Sequence, residues 1–328
     1  MPVRLRRKAL LAYILSLSSC CFILWFFMFI SYDQSLSPLG RIDLTAEDRI
    51  NFPHEFEYKH SFKSSESRAH EKSTVTTRGV GLIPSNALLS SMQWSEVSEL
   101  YHKYLSANQI VCQNVERLGR VTDGGWDMCN DSQYSPKGQC IVYSFGIADD
   151  FSFDNAVVEK FGCEVHSFDP SIDMQTKKRG DKKFFYKLGI ADSDRTLASG
   201  WSMSRFESIR ASLKHMKRTI NILKLDIEEW EWEVLPDLLA SDHLKSVDQL
   251  LIELHQCQGC SKYDPLQTDK EPPRDHYVHM LGILSQLYQQ NFRIFHHHDN
   301  SACRYLSKFT MTELSACVEI GLVRIPAQ

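Results

Sequence analysis

The sequence predicts an α/β protein with a Rossmann-like, doubly wound sheet, and three observations carry that expectation. The first is Ile141–Pro170, IVYSFGIADDFSFDNAVVEKFGCEVHSFDP, which reads as strand, tight loop, amphipathic helix and second strand. A strand buried on both faces of a parallel sheet is a near-continuous apolar run; Ile141–Phe145 has that form, and Val165–Phe168 is the next strand. The second is that similar runs alternate with helical periodicity through the rest of the chain, which marks α/β architecture. The third is the interval from Gly146 to Asp169. An acidic residue about 20 positions past a glycine turn can take ribose hydroxyls, outside the carboxyl ends of the strands.

At 328 residues and 43% hydrophobic, the chain has length for one sizeable core and for appendages. Its formal net charge of −4 argues against a nucleic-acid partner, whose binders usually present a basic face. Arg4, Arg6, Arg7 and Lys8 precede an uncharged, mostly apolar run from Ala9 to Ile30. That run has about the 20 residues a helix needs to cross a bilayer, and exceeds the roughly 7–15 of a cleavable signal's apolar core. Positive charge ahead of it keeps the N-terminus cytosolic. The expected layout is a cytosolic tail over 1–8, a transmembrane signal-anchor over 9–30, a flexible stem over 31–90 and a folded domain over 91–328. The domain then faces the lumen of the Golgi or endoplasmic reticulum, or is secreted if the segment is cleaved. Beyond Cys20 and Cys21 in the span, Cys112, Cys129, Cys140, Cys163, Cys257, Cys260, Cys303 and Cys317 form an even set. Such a set suggests disulfides in an oxidising compartment without fixing their pairing. Asn130-Asp131-Ser132 supplies a glycosylation acceptor pattern that fits the same placement.

Taken in order, the stretch from Ser31 to about Ser90 is polar and aperiodic, as a stem would be. Ser91–Asn108 carries Trp94, Val97, Leu100, Tyr101, Tyr104 and Leu105 at helical spacing, an entry helix. In CQNVERLGRVTDGGWDMCND, the Asp123–Trp126 turn reads as a loop pinned by a Cys112–Cys129 bridge, or else as one where Trp126 and Asp127 shape a pocket. Gly146 allows a sharp backbone turn, and the helix Phe151–Phe161 puts Phe153, Val157, Val158 and Phe161 on one stripe. Lys182–Ile190 is the third strand, Ser204–His215 a helix, and Ile220–Ile227 the fourth strand, leading into EEWEWEVLPDLL. Gln249–Leu254 is the fifth strand, His276–Gln290 a helix, Phe292–His296 the sixth strand and Cys317–Ile325 the seventh. Helices are expected between the first six strands.

In this order SFGIADDFSFD, VHSFDP, LKLDIEEWEWEVLPDLL and LLIELH resemble the methyltransferase-like protein 24 family. More distantly they are similar to the FkbM type of S-adenosylmethionine-dependent methyltransferase. The resemblance runs from about Tyr101 to the C-terminus and includes the DGGW-x-x-C lead-in at Asp123–Cys129. It implies a seven-stranded class I methyltransferase fold that uses S-adenosylmethionine. By that resemblance Gly146 faces the methionine end of the cofactor, Asp169 takes the ribose hydroxyls, and Asp192 lies near the adenine amine. Asp226 borders the cofactor's amino group and the substrate. Carboxylates accept hydrogen bonds from hydroxyls and amines, which suits each placement. The chain departs from the pattern at two places. Ser144, Ala148 and Asp150 stand where a class I loop has its acidic residue and its second and third glycines, which makes Asp149 or Asp150 the candidate for the cofactor's ammonium. Glu229 stands where the FkbM pattern has a glycine.

Methyl transfer to oxygen needs a base or a metal near the acceptor hydroxyl. Asp226, Glu228 and His255 lie at the strand ends where that acceptor belongs, and His255, which ordinarily titrates near neutrality, is the favoured base. His255, Cys257, Cys260 and His296–His298 offer metal-ligand types. In an oxidising lumen Cys257 and Cys260 read as disulfide partners, and no metal is expected. The predicted activity is O-methylation of a small-molecule or glycan acceptor. Two other readings stay open. One is a type II membrane glycosyltransferase, with Asp192-Ser193-Asp194 as a DxD motif for a metal and a sugar nucleotide. The other is a non-catalytic protein on a methyltransferase scaffold, suggested by the missing glycines.

Overall fold

The computed structural model describes residues 83–256 and 271–326. The predicted tail, membrane span and most of the stem lie outside the described residues, as do Cys257 and Cys260. Among the described residues no helix is long and apolar enough to cross a membrane.

Two helices open the fold, α1 (Asn86–Ser91) and α2 (Trp94–Leu105). Leu89 of α1 is fully buried, so packed structure begins ahead of the expected boundary at 91. A hairpin follows, β1 (Val115–Leu118) and β2 (Trp126–Cys129), paired antiparallel and closed by the Cys112–Cys129 disulfide. The bridge is as expected; the segment it closes is a hairpin rather than a loop. Next come β3 (Ile141–Phe145), α3 (Ser152–Phe161) and β4 (Glu164–Phe168). Asp150 Oδ1 accepts the Ser152 N–H at 2.9 Å just ahead of the helix, which ends on Gly162 in the left-handed conformation at φ 65°.

The predicted strand Lys182–Ile190 is two strands in two different sheets. The edge strand β5 (Lys177–Gly180) leads into β6 (Lys183–Tyr186), and β7 (Gly189–Ile190) stands apart. The Leu188 N–H turns back onto the Tyr186 carbonyl at 2.8 Å, a three-residue turn that ends β6. No helix lies between β4 and β6, contrary to the expected alternation. Then come β8 (Arg195–Thr196), β9 (Ser202–Ser204) and α4 (Phe206–Ser212). The helix predicted over Ser204–His215 is shorter because Ser202–Ser204 pairs with β7 and β8, and Asp194 Oδ1 holds the Arg205 N–H at 2.7 Å just ahead of the helix. The chain completes with β10 (Ile220–Leu225), α5 (Glu231–Ala240), β11 (Val247–His255), α6 (Arg274–Gln289), β12 (Phe292–Asp299), the β13–β14 hairpin (Arg304–Leu306, Glu313–Ser315) and β15 (Cys317–Arg324).

The main sheet has eight strands in the order β12-β15-β11-β10-β3-β4-β6-β5. The seven predicted strands all contribute, with β5 as an added antiparallel edge. The pairs among β11, β10, β3, β4 and β6 are parallel, and β15 runs antiparallel between β11 and β12. This mixed sheet is consistent with a methyltransferase fold.

Strand alternation sends Ile141, Tyr143 and Phe145 of β3 to one face and Val142 to the other. The first face packs on α1, α2, α4, α5 and α6 through residues such as Phe206, Leu235 and Leu284. The second packs on α3 and the β1–β2 hairpin through Phe153, Val157, Trp126 and Met128. Each such side chain, fully buried, contributes about 1.5–3 kcal/mol. Cys140–Cys163 and Cys303–Cys317 add two further disulfides. With Cys112–Cys129 they point to an oxidising, secretory-pathway environment for this domain.

Candidate active site

The loop after β3 is built on Gly146, whose φ is 68°. Its N–H donates to the Phe168 carbonyl at 2.9 Å, and a Cβ there would collide with the carbonyl oxygen of Asp226. Close approach of two chain segments is therefore what the glycine permits. Ala148 and Asp149 follow at φ 43° and 67°, a conformation costing L residues about 1–2 kcal/mol each. Asp169, at the end of β4, offsets this cost. Its Oδ2 accepts the Ile147 and Ala148 N–H groups at 3.0 Å each, while Oδ1 accepts from the Ser171 N–H and hydroxyl at 2.8 and 2.6 Å. The carboxylate is 4% exposed and acts as the latch of the loop.

A second brace comes from Lys224, the one charged residue in the apolar run of β10. Its buried ammonium donates to the carbonyls of Phe145 and Gly146 and to Asp226 Oδ2 at 3.3 Å, and it lies 5.1 Å from the Trp126 ring centre. Trp126 therefore backs the loop through Lys224 and is not in the lining of the cavity beside it, and Asp127 pairs with Arg117 at 2.6 Å and His296 at 3.4 Å.

The turn after β10 carries a second pair of left-handed residues, Glu228 at φ 53° and Glu229 at φ 80°. The position where the FkbM pattern has glycine is thus one whose backbone asks for it. Here Glu231, fully buried, holds the turn: Oε1 accepts the Ile227 N–H at 2.9 Å and lies 3.1 Å from His255 Nδ1. Trp232 Nε1–H donates to the His255 carbonyl at 2.6 Å and closes the unit. Burial alone would lower the His255 pKa. The Glu231 bond and the charges of Glu231, Glu253 and Asp226 outweigh burial and raise it to about 9. His255 is therefore an imidazolium at neutral pH, with no lone pair to take a proton. Its expected role as base does not fit this setting. Glu253 is likewise pushed up, to about 8, by burial first and then by the charge of Asp226.

Between the two loops lies a cavity of about 210 Å³ at the carboxyl ends of β3, β4 and β10. Phe145 and Phe168, stacked at 4.4 Å, contribute to its wall with Ile190, Trp201, Met203 and Trp230. Asp169, Asp226 and Glu228 supply its acidic lining. A family model described as a methyltransferase domain matches residues 61–310. The chain belongs to that family. It is similar to the human and rat proteins named "Probable methyltransferase-like protein 24", at 26% identity over 248 and 247 residues. Each match covers 71% of this chain and 66% of the relative, just under two thirds of the relative's length.

Within this methyltransferase-domain fold, Gly146, Asp169, Asp226 and Glu228 come together at the cavity. The other expected cofactor residues do not. Asp150 turns to Arg120 at 3.1 Å and to Ser152, and Asp149 is exposed; neither lines the cavity. Asp192 is exposed and pairs with Arg195, away from the cavity lining. Asp194 accepts from the Arg205 N–H and, at 2.6 Å, from the Ser208 hydroxyl. The carboxylates of the DxD motif are thus committed to separate protein partners. The family assignment, to a methyltransferase domain, does not support the glycosyltransferase reading. Asn130 of the glycosylation pattern is half-buried and donates its amide to Glu116 at 2.8 Å.

The residues present suit S-adenosylmethionine in their donor chemistry. Carboxylates line a cavity that would hold two positive centres and a ribose diol, and aromatic and thioether side chains would flank an adenine. Sequence reading missed Lys224, Glu231, Glu253, Trp201 and Met203. Lys224 had a signal, a lone cation inside INILKLDI. Trp201 had a weaker one, an aromatic beside Gly200 in a polar stretch.

Proposed function

We propose that the domain is an S-adenosylmethionine-dependent O-methyltransferase, acting on a hydroxyl of a small molecule or glycan in the lumen of the secretory pathway and anchored through residues 9–30. The observation that carries the reading is the cavity at the strand ends, lined by Asp169, Asp226 and Glu228 on a family-matched fold. Bound there, S-adenosylmethionine would supply an electrophilic methyl group on a sulfonium. Ile190, Trp201, Met203 and Trp230 would hold the adenine and limit water at the mouth. Asp169 Oδ1 would exchange the Ser171 hydroxyl for one of the ribose, leaving Oδ2 to keep the loop latched. Asp226 and Glu228 would face the cofactor's positive groups.

Asp226 is also the group best placed to receive the acceptor's proton. Lys224 engages Oδ2, which leaves Oδ1 for the acceptor hydroxyl. His255, as a cation 3.7 Å from Glu228, orients that carboxylate and balances the acidic lining. The loop's left-handed backbone at Ala148 and Asp149 also favours activity over a non-catalytic role. The conformation that glycines ordinarily supply is retained without them.

The test is calorimetric titration of the protein with S-adenosylmethionine and S-adenosylhomocysteine. Micromolar binding, weakened about tenfold in Asp226→Asn by loss of a charge-assisted contact, is the expected result. A folded protein that gives no heat with either ligand overturns the reading.

A further inference from the structure

At the amino end of β4, opposite the cavity, Glu164 and His166 stand two residues apart on one face of the strand, and His215 reaches them from the segment after α4. His166 Nε2 lies 2.7 Å from Glu164 Oε1, and His215 Nε2 lies 3.8 Å from the same oxygen. All three ligand atoms fall within 4.8 Å of one another. We infer that Glu164, His166 and His215 form a binding site for one divalent transition-metal ion of the zinc type, separate from the proposed methyl-transfer site.

Four features carry this beyond a chance meeting of polar side chains. First, the far nitrogen of each ring is anchored. His166 Nδ1 is 3.0 Å from the Tyr186 hydroxyl and His215 Nδ1 is 2.8 Å from the Tyr143 hydroxyl. Metal-ligating histidines characteristically give their other nitrogen to such a partner, which fixes the ring and its tautomer. With each Nδ1–H donating to its tyrosine, each Nε2 lone pair points at the shared space. Second, a network of hydrogen bonds alone accounts for His166 but not for His215, whose Nε2 is beyond hydrogen-bond reach of the carboxylate it faces. An ion with bonds of about 2.1 Å holds its ligand atoms ~3.4 Å apart, between the two observed distances.

Third, the loop presenting His215 is already set. Arg210, 2% exposed, donates to the carbonyls of His215 at 3.0 Å, Met216 at 3.3 Å and Arg218 at 2.8 Å. Fourth, access is graded as a metal site needs. Both histidines are buried, while the Glu164 side chain is 42% exposed, leaving a path for the ion and a position for water. Two histidines, one carboxylate and an open fourth position make a recognised zinc ligand set. The two other convergent groups among the described residues include Cys112, Cys129 and Cys317, whose sulfurs are held in disulfides.

The ion would tie β4 to the segment after α4. His166 stacks on Tyr186 at 5.7 Å and Tyr186 on Phe168 at 4.8 Å, so the site sits at the foot of a column whose top lines the cavity. Its role is therefore to brace the sheet beneath the cavity.

The test uses the full-length protein, stripped with chelator, dialysed against Zn²⁺ and then against metal-free buffer. Elemental analysis is expected to find close to one zinc per chain. Co²⁺ in its place should give the visible absorption of a four- or five-coordinate nitrogen–oxygen site. Glu164→Gln and His215→Asn should lose the retained metal and the cobalt spectrum. Tyr186→Phe, which leaves all three ligands, should weaken binding about 10- to 100-fold. Near-ultraviolet circular dichroism on each variant shows that the fold persists. Retention far below one equivalent by the folded wild type overturns the inference. So does retention unchanged in both Glu164→Gln and His215→Asn.

Discussion

The loop after β3 and the turn after β10 each place two consecutive non-glycine residues in the left-handed region, Ala148–Asp149 and Glu228–Glu229. They are held differently. Asp169 latches the first by accepting two backbone N–H groups, with Lys224 bracing it from below. Glu231 latches the second with one backbone N–H, and its other partner is the His255 ring. The first latch closes a carboxylate onto backbone donors. The second depends on the charge of an imidazole and so answers to pH. One side of the cavity is built to be constant and the other to be adjustable.

Several substitutions separate the two latches. The largest effect is expected from Gly146→Ala, because the new Cβ meets the Asp226 carbonyl where both loops touch. Loss of about 4 kcal/mol in denaturant unfolding is expected; a change under about 1 kcal/mol would show that the loops do not press on each other. Next is Glu231→Gln, which leaves the buried His255 charge without its partner, at a cost of about 3 kcal/mol. The same variant tests the pH dependence. His255 titrates near 9 in the folded protein against an ordinary value of 6.5. Its stabilisation is complete below the ordinary value and is lost as pH rises through about 9. Glu253, raised to about 8, loses its contribution over an overlapping range. The wild-type melting temperature should therefore fall between about pH 7 and 10, and fall less in Glu231→Gln. Equal slopes would remove His255 from the latch.

Asp169→Asn is expected to cost less, about 2 kcal/mol, since one amide oxygen can still accept while the NH₂ faces a donor. Its effect should be the same at pH 6 and pH 9, unlike that of Glu231→Gln; a strong pH dependence would erase the contrast between the latches. The smallest effect has the opposite sign. Glu229→Gly relieves a φ of 80° and should stabilise by about 1 kcal/mol. Destabilisation would mean that the contacts of the Glu229 side chain outweigh its backbone strain.

The fold was legible where a signal was local. β3 matches its predicted bounds because IVYSF is buried at every position, and β11 and β15 differ from theirs by a residue or two because long apolar runs mark them. The break in KKFFYKLGI was not legible, since a turn made by one backbone bond at Leu188 leaves no mark in side-chain pattern. The site was half legible for the same reason. Gly146, Asp169 and Asp226 sit at strand ends, which topology sends to the cavity. Asp150 and Asp192 lie in turns, where an aspartate answers to the nearest donor, and those donors are Ser152, Arg120 and Arg195. The charge of His255 depends on Glu231 and Glu253, each brought to it only by the folded sheet. A residue type near neutrality in isolation says little about its state among three carboxylates.

The placement of β15 bears on how the domain is made. β12 pairs with β15 alone in the main sheet, and β15 is the later of the two to leave the ribosome. Until it does, β12 lacks its ladder partner and is tied to the earlier chain through Ile294, which bonds to Gln109 and Ile110, while the growing chain carries an open β11 edge. Cys112–Cys129 and Cys140–Cys163 close short loops, 17 and 23 residues apart in sequence, so oxidation can secure the early half while the late half waits. Synthesis of this protein therefore has a vulnerable interval between β11 and β15.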